Sequence, residues 1–150
     1  MSVTIRDLNN QQDLGMLIGR VLMSAIFIWS GFGKLVGAAA AKAYMVHMGV
    51  PVPELAWIVT VVIEFVGGLA LLLGLRVRLL GALFALWCLV TAFVAHLDFS
   101  VPGNNVQFMK NIAMCGGFIY IALFGGGIYT VECLFHKKTP VTPTTPPSNS

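Results

Sequence analysis

Residues 55–75 read LAWIVTVVIEFVGGLALLLGL, an apolar run of bilayer-crossing length that carries a glutamate, Glu64, near its middle. About 20 apolar residues span the hydrocarbon core of a membrane. An ionised carboxylate at that depth costs at least about 3 kcal/mol unless a partner or a proton satisfies it. Such a run permits few folds. With no water to pair its backbone it must be helical, and the helix must turn Glu64 away from lipid, toward other protein groups.

The rest of the chain has to supply those groups. Three further apolar runs occupy residues 14–35, 79–97 and 108–129. The first contains Arg20, the second ends near His96, and the last is entered through Lys110 and Asn111. Only 10% of the 150 residues are charged and 57% are hydrophobic, whereas about 25% of a soluble domain is charged. The fold class is therefore all-α, an integral membrane bundle of four transmembrane helices. The net charge of +3 comes from scattered cations, which is no nucleic-acid surface. Cys88, Cys115 and Cys133 are far apart and form no zinc or dithiol spacing.

Around the membrane domain, residues 14–135, lie a polar leader over 1–13 and a Pro/Thr-rich tail over 136–150. The tail has nothing to bury and is expected to be disordered. A cleaved signal peptide is the rival reading of the first run, with residues 38–41 as the peptidase site. Its apolar stretch is too long for that, and the leader is acidic as well as basic. Between the first two spans, AAAAKAYMVHM can form a helix at the interface, with Tyr44 and Met45 toward lipid or protein, until VPVP stops it. LRVR at 75–78 is so short a turn that the second and third spans must be antiparallel neighbours. Arg6, Arg76, Arg78, Lys137 and Lys138 fall on one side, and Lys34, Lys42 and Lys110 on the other. By the excess of basic residues on the inner side, both termini are expected in the cytoplasm.

Helical spacing aligns the polar groups. One face of the first span holds Arg20, Ser24, Phe27, Gly31 and Lys34; one face of the second holds Trp57, Thr60, Glu64, Gly68 and Leu71. The third aligns Ala82, Ala85, Leu89, Ala92 and His96, and the fourth Lys110, Met114 and Gly117 with Asn111 beside them. Small residues on these faces let helices approach closely. At about 1.5 Å per residue Glu64 lies about 14 Å deep and Arg20 about 21 Å below Lys34. An Arg20–Glu64 pair can close that gap. Lys34, His96 or Lys110 could instead meet Glu64 from above, or the carboxyl could stay protonated by burial. The pair then has two readings: an ion pair that fixes helix register, or a site that handles protons or a ligand. Bis-histidine haem, metal clusters, nucleotide loops and activated nucleophiles have no residues to carry them.

The ordered set of RVLMSAIFIWSGFGKL, EFVGGLALLLGLRVRLLG and KNIAMCGGFIYIAL resembles the DoxX family of small four-helix membrane proteins. The resemblance runs over residues 14–129 and includes inner-membrane members of unassigned function. It implies a four-helix bundle in the bacterial inner (plasma) membrane. Some relatives are subunits of quinone-linked oxidoreductases, thiosulfate:quinone oxidoreductase among them, and others assist membrane oxidoreductases or the maturation of partner proteins.

This chain supplies no redox centre or catalytic motif of its own, so enzymatic activity is left open and the one cofactor to consider is a quinone. The leading expectation is a quinone- or quinol-binding or accessory subunit of a membrane oxidoreductase system. Glu64 serves there as proton acceptor or hydrogen-bond anchor and Arg20 as its counter-charge. His96, Lys34, Lys110 and Asn111 form a polar outer mouth, and Trp57 and Phe27 apolar walls. The alternatives are a non-enzymatic assembly factor, whose sign is a bundle packed without a cavity, and a proton-coupled small exporter. The partners implied are the lipid bilayer and either a membrane oxidoreductase or a second copy of the chain, with no nucleic acid.

Overall fold

The computed structural model describes residues 5–136, with side chains over 10–135. The chain runs as α1 (Ile5–Val36), α2 (Ala38–His47), α3 (Pro53–Leu73), α4 (Val77–Ala95), α5 (Asn104–Phe124) and α6 (Val131–His136). There is no strand among the described residues. Four helices are long and apolar enough to cross a membrane: residues 10–36 of α1, and all of α3, α4 and α5. The expected all-helical four-span architecture is the observed one. Residues 1–4 of the leader and 137–150 of the tail, Lys137 and Lys138 included, lie outside the described residues.

Two boundaries differ from expectation by five residues or more, each for a local reason, and α5 also begins four residues early, at Asn104. α1 takes in residues 5–13, because adding a residue to an existing helix costs far less than nucleating one. α5 stops at Phe124, five residues before the expected 129, where Gly125 and Gly127 take positive φ angles of 81° and 68°. At the other short turn, Gly74 ends α3 at φ 78°, and the Leu75 and Gly74 amides close back on the Ala70 and Leu71 carbonyls. That left-handed closure, natural to glycine, reverses the chain within LRVR.

Glycine also sets the helix crossings. A Cβ on Gly31 would stand 2.5 Å from the Phe65 backbone nitrogen, and one on Gly68 would stand 2.9 Å from Ile28, so α1 and α3 meet almost backbone to backbone. Gly81 brings α4 against Ala122 of α5 in the same way. Where these pairs join, the rings of Phe27, Phe84 and Phe118 pack within 4.6 to 5.3 Å of one another. Leu71, Cys88 and Cys115 fill in around them, both cysteines as free thiols. Side chains such as Trp29, Leu22 and Tyr120 point outward, where the solvent is lipid.

The inward faces of α1 and α3 are those the spacing indicates: Arg20, Ser24, Phe27, Thr60, Glu64, Gly68 and Leu71 are all buried. In α4 and α5 the face is rotated. Gly81, Phe84, Ala85, Cys88 and Ala92 turn inward on α4, leaving Ala82 and Leu89 outside. Asn104, Asn111, Cys115 and Phe118 turn inward on α5, leaving Lys110 exposed. Outward and inward faces are equally apolar in these spans, so periodicity alone does not choose between them.

α4 packs along its length on α5, and α1 on α3, but α4 meets α3 mainly beside the connecting turn. The two pairs are therefore splayed toward the end that carries α2, and α2 rests on α1 and α3 at that end.

Candidate functional site

The splay leaves a cavity of about 840 Å³ between the helix pairs, in the half of the bundle beneath α2. Ligand chambers commonly measure about 300–1,000 Å³ and are mostly apolar with a few placed polar groups. The wall here fits that description. Of the eight residues singled out from sequence, Glu64, Lys34, His96, Lys110, Asn111 and Phe27 line it; Arg20 and Trp57 do not.

Glu64 lies in the innermost part. It sits within a π-helical turn, Val62–Val66, inside α3. Single π turns interrupt α-helices rarely and often at functional positions. The bulge lies opposite Gly31, which has no side chain to block the Phe65 backbone. Glu64 is 5% exposed. Its Oε2 accepts a hydrogen bond from Lys34 Nζ at 2.6 Å, and its Oε1 a long one from Trp87 Nε1 at 3.3 Å. Lys34 Nζ also donates to Ser30 Oγ at 2.6 Å. An ammonium has three donors, so these two bonds leave one for a ligand.

The counter-charge of Glu64 is thus Lys34, and the Arg20–Glu64 pair is not formed. Side-chain direction explains the choice. Helical side chains lean toward their own N-terminus. α1 runs up toward α2 and α3 runs down from it, so Lys34 leans down and Glu64 leans up. Arg20, on the same helix as Lys34 but below Glu64, also leans down and so away from it, to the end of the bundle opposite α2. There it is 2% exposed and donates from Nη1 to the Gly126 carbonyl at 2.8 Å and from Nη2 to the Tyr129 carbonyl. Its Nε has no partner. Arg20 therefore pins the glycine-rich segment after α5 to α1, answering carbonyls that a broken helix leaves open.

Trp57 is not a cavity wall either. Its Nε1 donates to the Lys34 carbonyl at 2.9 Å, and the Lys42 ammonium stands 5.6 Å over its ring. Lys42 in turn pairs with Glu54 at 2.8 Å. Trp57 thus fixes the upper end of α1, and with it the backbone that carries Lys34. Phe27 does line the cavity, where the aromatic core begins.

Several lining groups carry no signal in the face analysis. Trp87 and Thr91 stand one turn apart on α4, and the Thr91 hydroxyl lies 3.0 Å from Asn111 Oδ1, while Asn111 Nδ2 donates to the Gln107 carbonyl at 2.9 Å. Tyr44, Met45 and Met48 turn from α2 and its C-terminal end toward the chamber. A Trp–Thr pair at i and i+4 within an apolar span is the pattern that could have drawn attention to α4. His96 caps the end of α4, and its Nδ1 is buried without a hydrogen-bond partner. Burial pushes its pKa below the usual imidazole value, the Lys110 and Lys34 charges push the same way, and Asn104 and the Ala95 backbone oppose them. Among the described residues no cluster of three His, Cys, Asp or Glu is placed to hold a metal ion.

Four membrane-crossing helices enclosing a chamber with a buried lysine–glutamate pair define a small multi-pass membrane protein built around a ligand-sized space. The chain belongs to the DoxX family, whose model matches residues 15–97, from the start of the first span through Leu97. It is 40% identical to "Inner membrane protein YqjF" of Escherichia coli K12, covering 85% of this chain and 96% of that protein. It is 34% identical to "Inner membrane protein YphA" of the same organism, over 78% of this chain and 87% of that one. A third relative, "Putative oxidoreductase CatD" of Bacillus subtilis, is 29% identical over 65% of this chain and 71% of its own length. No solved structure matches. With its four apolar helices and these relatives, the chain is a multi-pass inner-membrane protein in contact with the lipid bilayer.

Proposed function

We propose that the chamber binds the head of a small membrane-soluble molecule, with a quinone or quinol as the favoured ligand, and that the chain serves as a binding or accessory subunit of a membrane redox system. The observation that carries this reading is the apolar chamber with a buried, lysine-paired carboxylate at its inner end. The free donor of Lys34, and Lys110 near the rim, suit the carbonyl oxygens of a quinone. Glu64 suits the hydroxyl of a quinol: on oxidation it would accept one of the two protons, and the second, from the quinol's other hydroxyl, would leave to water at the chamber mouth. The two electrons would pass to a redox centre on a membrane oxidoreductase partner. The name of the Bacillus subtilis relative agrees with that class of chemistry. The chamber itself weighs against a purely structural assembly factor, whose bundle would have no reason to remain open.

The test is purification in mild detergent or nanodiscs, followed by lipid extraction and mass spectrometry, with Glu64→Gln and Lys110→Met alongside. A quinone retained in stoichiometric amount by the wild type and depleted from folded Glu64→Gln protein is the expected result. Wild-type protein that carries no quinone, even after reconstitution with an excess of it, would refute the assignment.

A further inference from the structure

We infer that the chamber is loaded sideways from the bilayer, through a gap between α3 and α4, and that its ligand is accordingly a lipid-dissolved amphiphile whose head reaches Lys34 and Glu64 while its apolar tail lies in the gap. The inference rests on the chamber being a ligand site, but not on that ligand being a quinone.

The gap follows from the packing. α4 follows α5 along its length and meets α3 mainly next to the Gly74 turn, so the two helices diverge toward α2. Leu55 and Val59 of α3 and Val90 and Val94 of α4 edge the opening. Each of the four lines the chamber on one side and is also exposed on the outer surface, by 41% to 57%. A side chain that does both marks the rim of an opening and not a closed wall. On the opposite side of the bundle, α1 and α5 meet where Met23 lies against Gly117, about 19 Å down both helices and below the chamber, while above that contact Ile26 lines the chamber and is 38% exposed.

Depth and chemistry say what passes. Val59 lies about 9 Å below the start of α3 and Val90 about 7.5 Å below the end of α4, at about 1.5 Å per residue. Glu64 lies about 16 Å down on the same measure, near the middle of a bilayer. The lips are all aliphatic and sit at the level of lipid chains. The polar groups lie behind them, with Glu64 deepest. At the α2 end, Tyr44 and Val52 line the chamber and are also exposed, by 49% and 64%, so the chamber reaches the surface there too and the choice between the two ways in rests on the ligand's chemistry. An amphiphile entering from the lipid keeps its tail in an apolar medium throughout. One entering from water past α2 would have to expose that tail, against the hydrophobic effect.

Labelling of a cysteine inside the chamber tests the route without a known ligand. Thr60→Cys places a thiol on the chamber wall at little change in volume; Cys133→Ser removes the thiol at the far end, and the buried Cys88 and Cys115 serve as internal controls. The protein in lipid nanodiscs is treated with a long-chain alkyl maleimide that resides in the bilayer, or with a membrane-impermeant sulfonated maleimide. The alkyl reagent should modify Cys at position 60 the faster. Val59→Phe with Val90→Phe, which narrow the gap from its lipid side, should slow that reaction about tenfold while circular dichroism and gel filtration stay unchanged. Faster labelling by the sulfonated reagent, or no slowing in the narrowed variants, would overturn lateral entry. The quinone assignment is read separately, by the extraction experiment above: lipid-side labelling without bound quinone would retain the route and discard that ligand.

Discussion

Removing the lysine from the Lys34–Glu64 pair should destabilise the protein far more than neutralising the glutamate. The two partners sit differently: the Lys34 side chain is 30% exposed and that of Glu64 only 6%. Lys34→Met strips Glu64 of its 2.6 Å partner and leaves the carboxylate one long bond from Trp87. Breaking a buried pair in this way costs about 3–5 kcal/mol; because the pair borders the chamber, the lower end, about 3 kcal/mol, applies. Glu64→Gln keeps an oxygen that accepts from Lys34 Nζ, and the freed lysine can extend toward the membrane surface, so the cost should be about 1 kcal/mol. The double variant removes the stranded charge, and should be more stable than Lys34→Met alone by about 1–2 kcal/mol. The assay is reversible unfolding by sodium dodecyl sulfate in mild-detergent micelles, followed by far-ultraviolet circular dichroism. Equal costs for the two single variants, or a double variant that loses the sum of both, would refute the argument that Lys34 is what keeps a buried carboxylate tolerable.

Three further outcomes follow from the same geometry. Gly31→Ala, whose new Cβ would meet the Phe65 backbone at 2.5 Å, should cost about 2 kcal/mol by overpacking. Gly33→Ala, with nothing within 4 Å, should stay within about 0.5 kcal/mol of wild type in the same unfolding assay. Arg20→Lys cannot reproduce the two-pronged grip on the Gly126 and Tyr129 carbonyls. It should raise amide hydrogen exchange across residues 125–130 while leaving quinone retention intact. The His96 imidazole, its pKa lowered mainly by burial, binds a proton less readily in the folded protein than in the unfolded chain. Its contribution is whole above the unfolded value of about 6.5 and is lost as pH falls from there through the lower folded value. Stability should therefore drop between pH 7.5 and pH 5, and His96→Gln should flatten that slope.

Much of the architecture is legible in the sequence, because a bilayer leaves a long apolar run so few choices. The four spans, the antiparallel second and third helices and the inward faces of α1 and α3 all follow from length, turn residues and the need to hide Arg20 and Glu64. α4 and α5 show where that reasoning ends. Each carries its conspicuous polar residue, His96 or Lys110, near the membrane surface, where a long or ring side chain can reach water or headgroups from almost any face. Phasing the helices on those residues turns them by roughly a residue. The packing is decided instead by Gly81 against Ala122 and by the rings of Phe84 and Phe118, which in sequence look like any other apolar positions.

The partner of Glu64 is a different kind of failure, since the rule that selects it needs only the sequence. Depth alone makes Arg20 and Lys34 comparable candidates. Adding the lean of side chains toward each helix's own N-terminus sends Lys34 and Glu64 toward each other and Arg20 away from both. What the sequence does not contain is the π turn. Whether an amide reaches back four residues or five is settled by what presses on the helix from outside, and here that is α1. At Gly31 its bare backbone admits the bulge at Phe65, and one turn later Lys34 meets the carboxylate that the bulge carries. The SGFGK stretch of α1 and the IEF stretch of α3 thus act as one unit: the glycine admits the wide turn, the wide turn carries the acid, and the lysine makes the acid tolerable. A buried charge pair contributes little net stability, so packing alone gives no reason to join a wide turn to a costly charge beside an open chamber. Binding a polar head at that point supplies one.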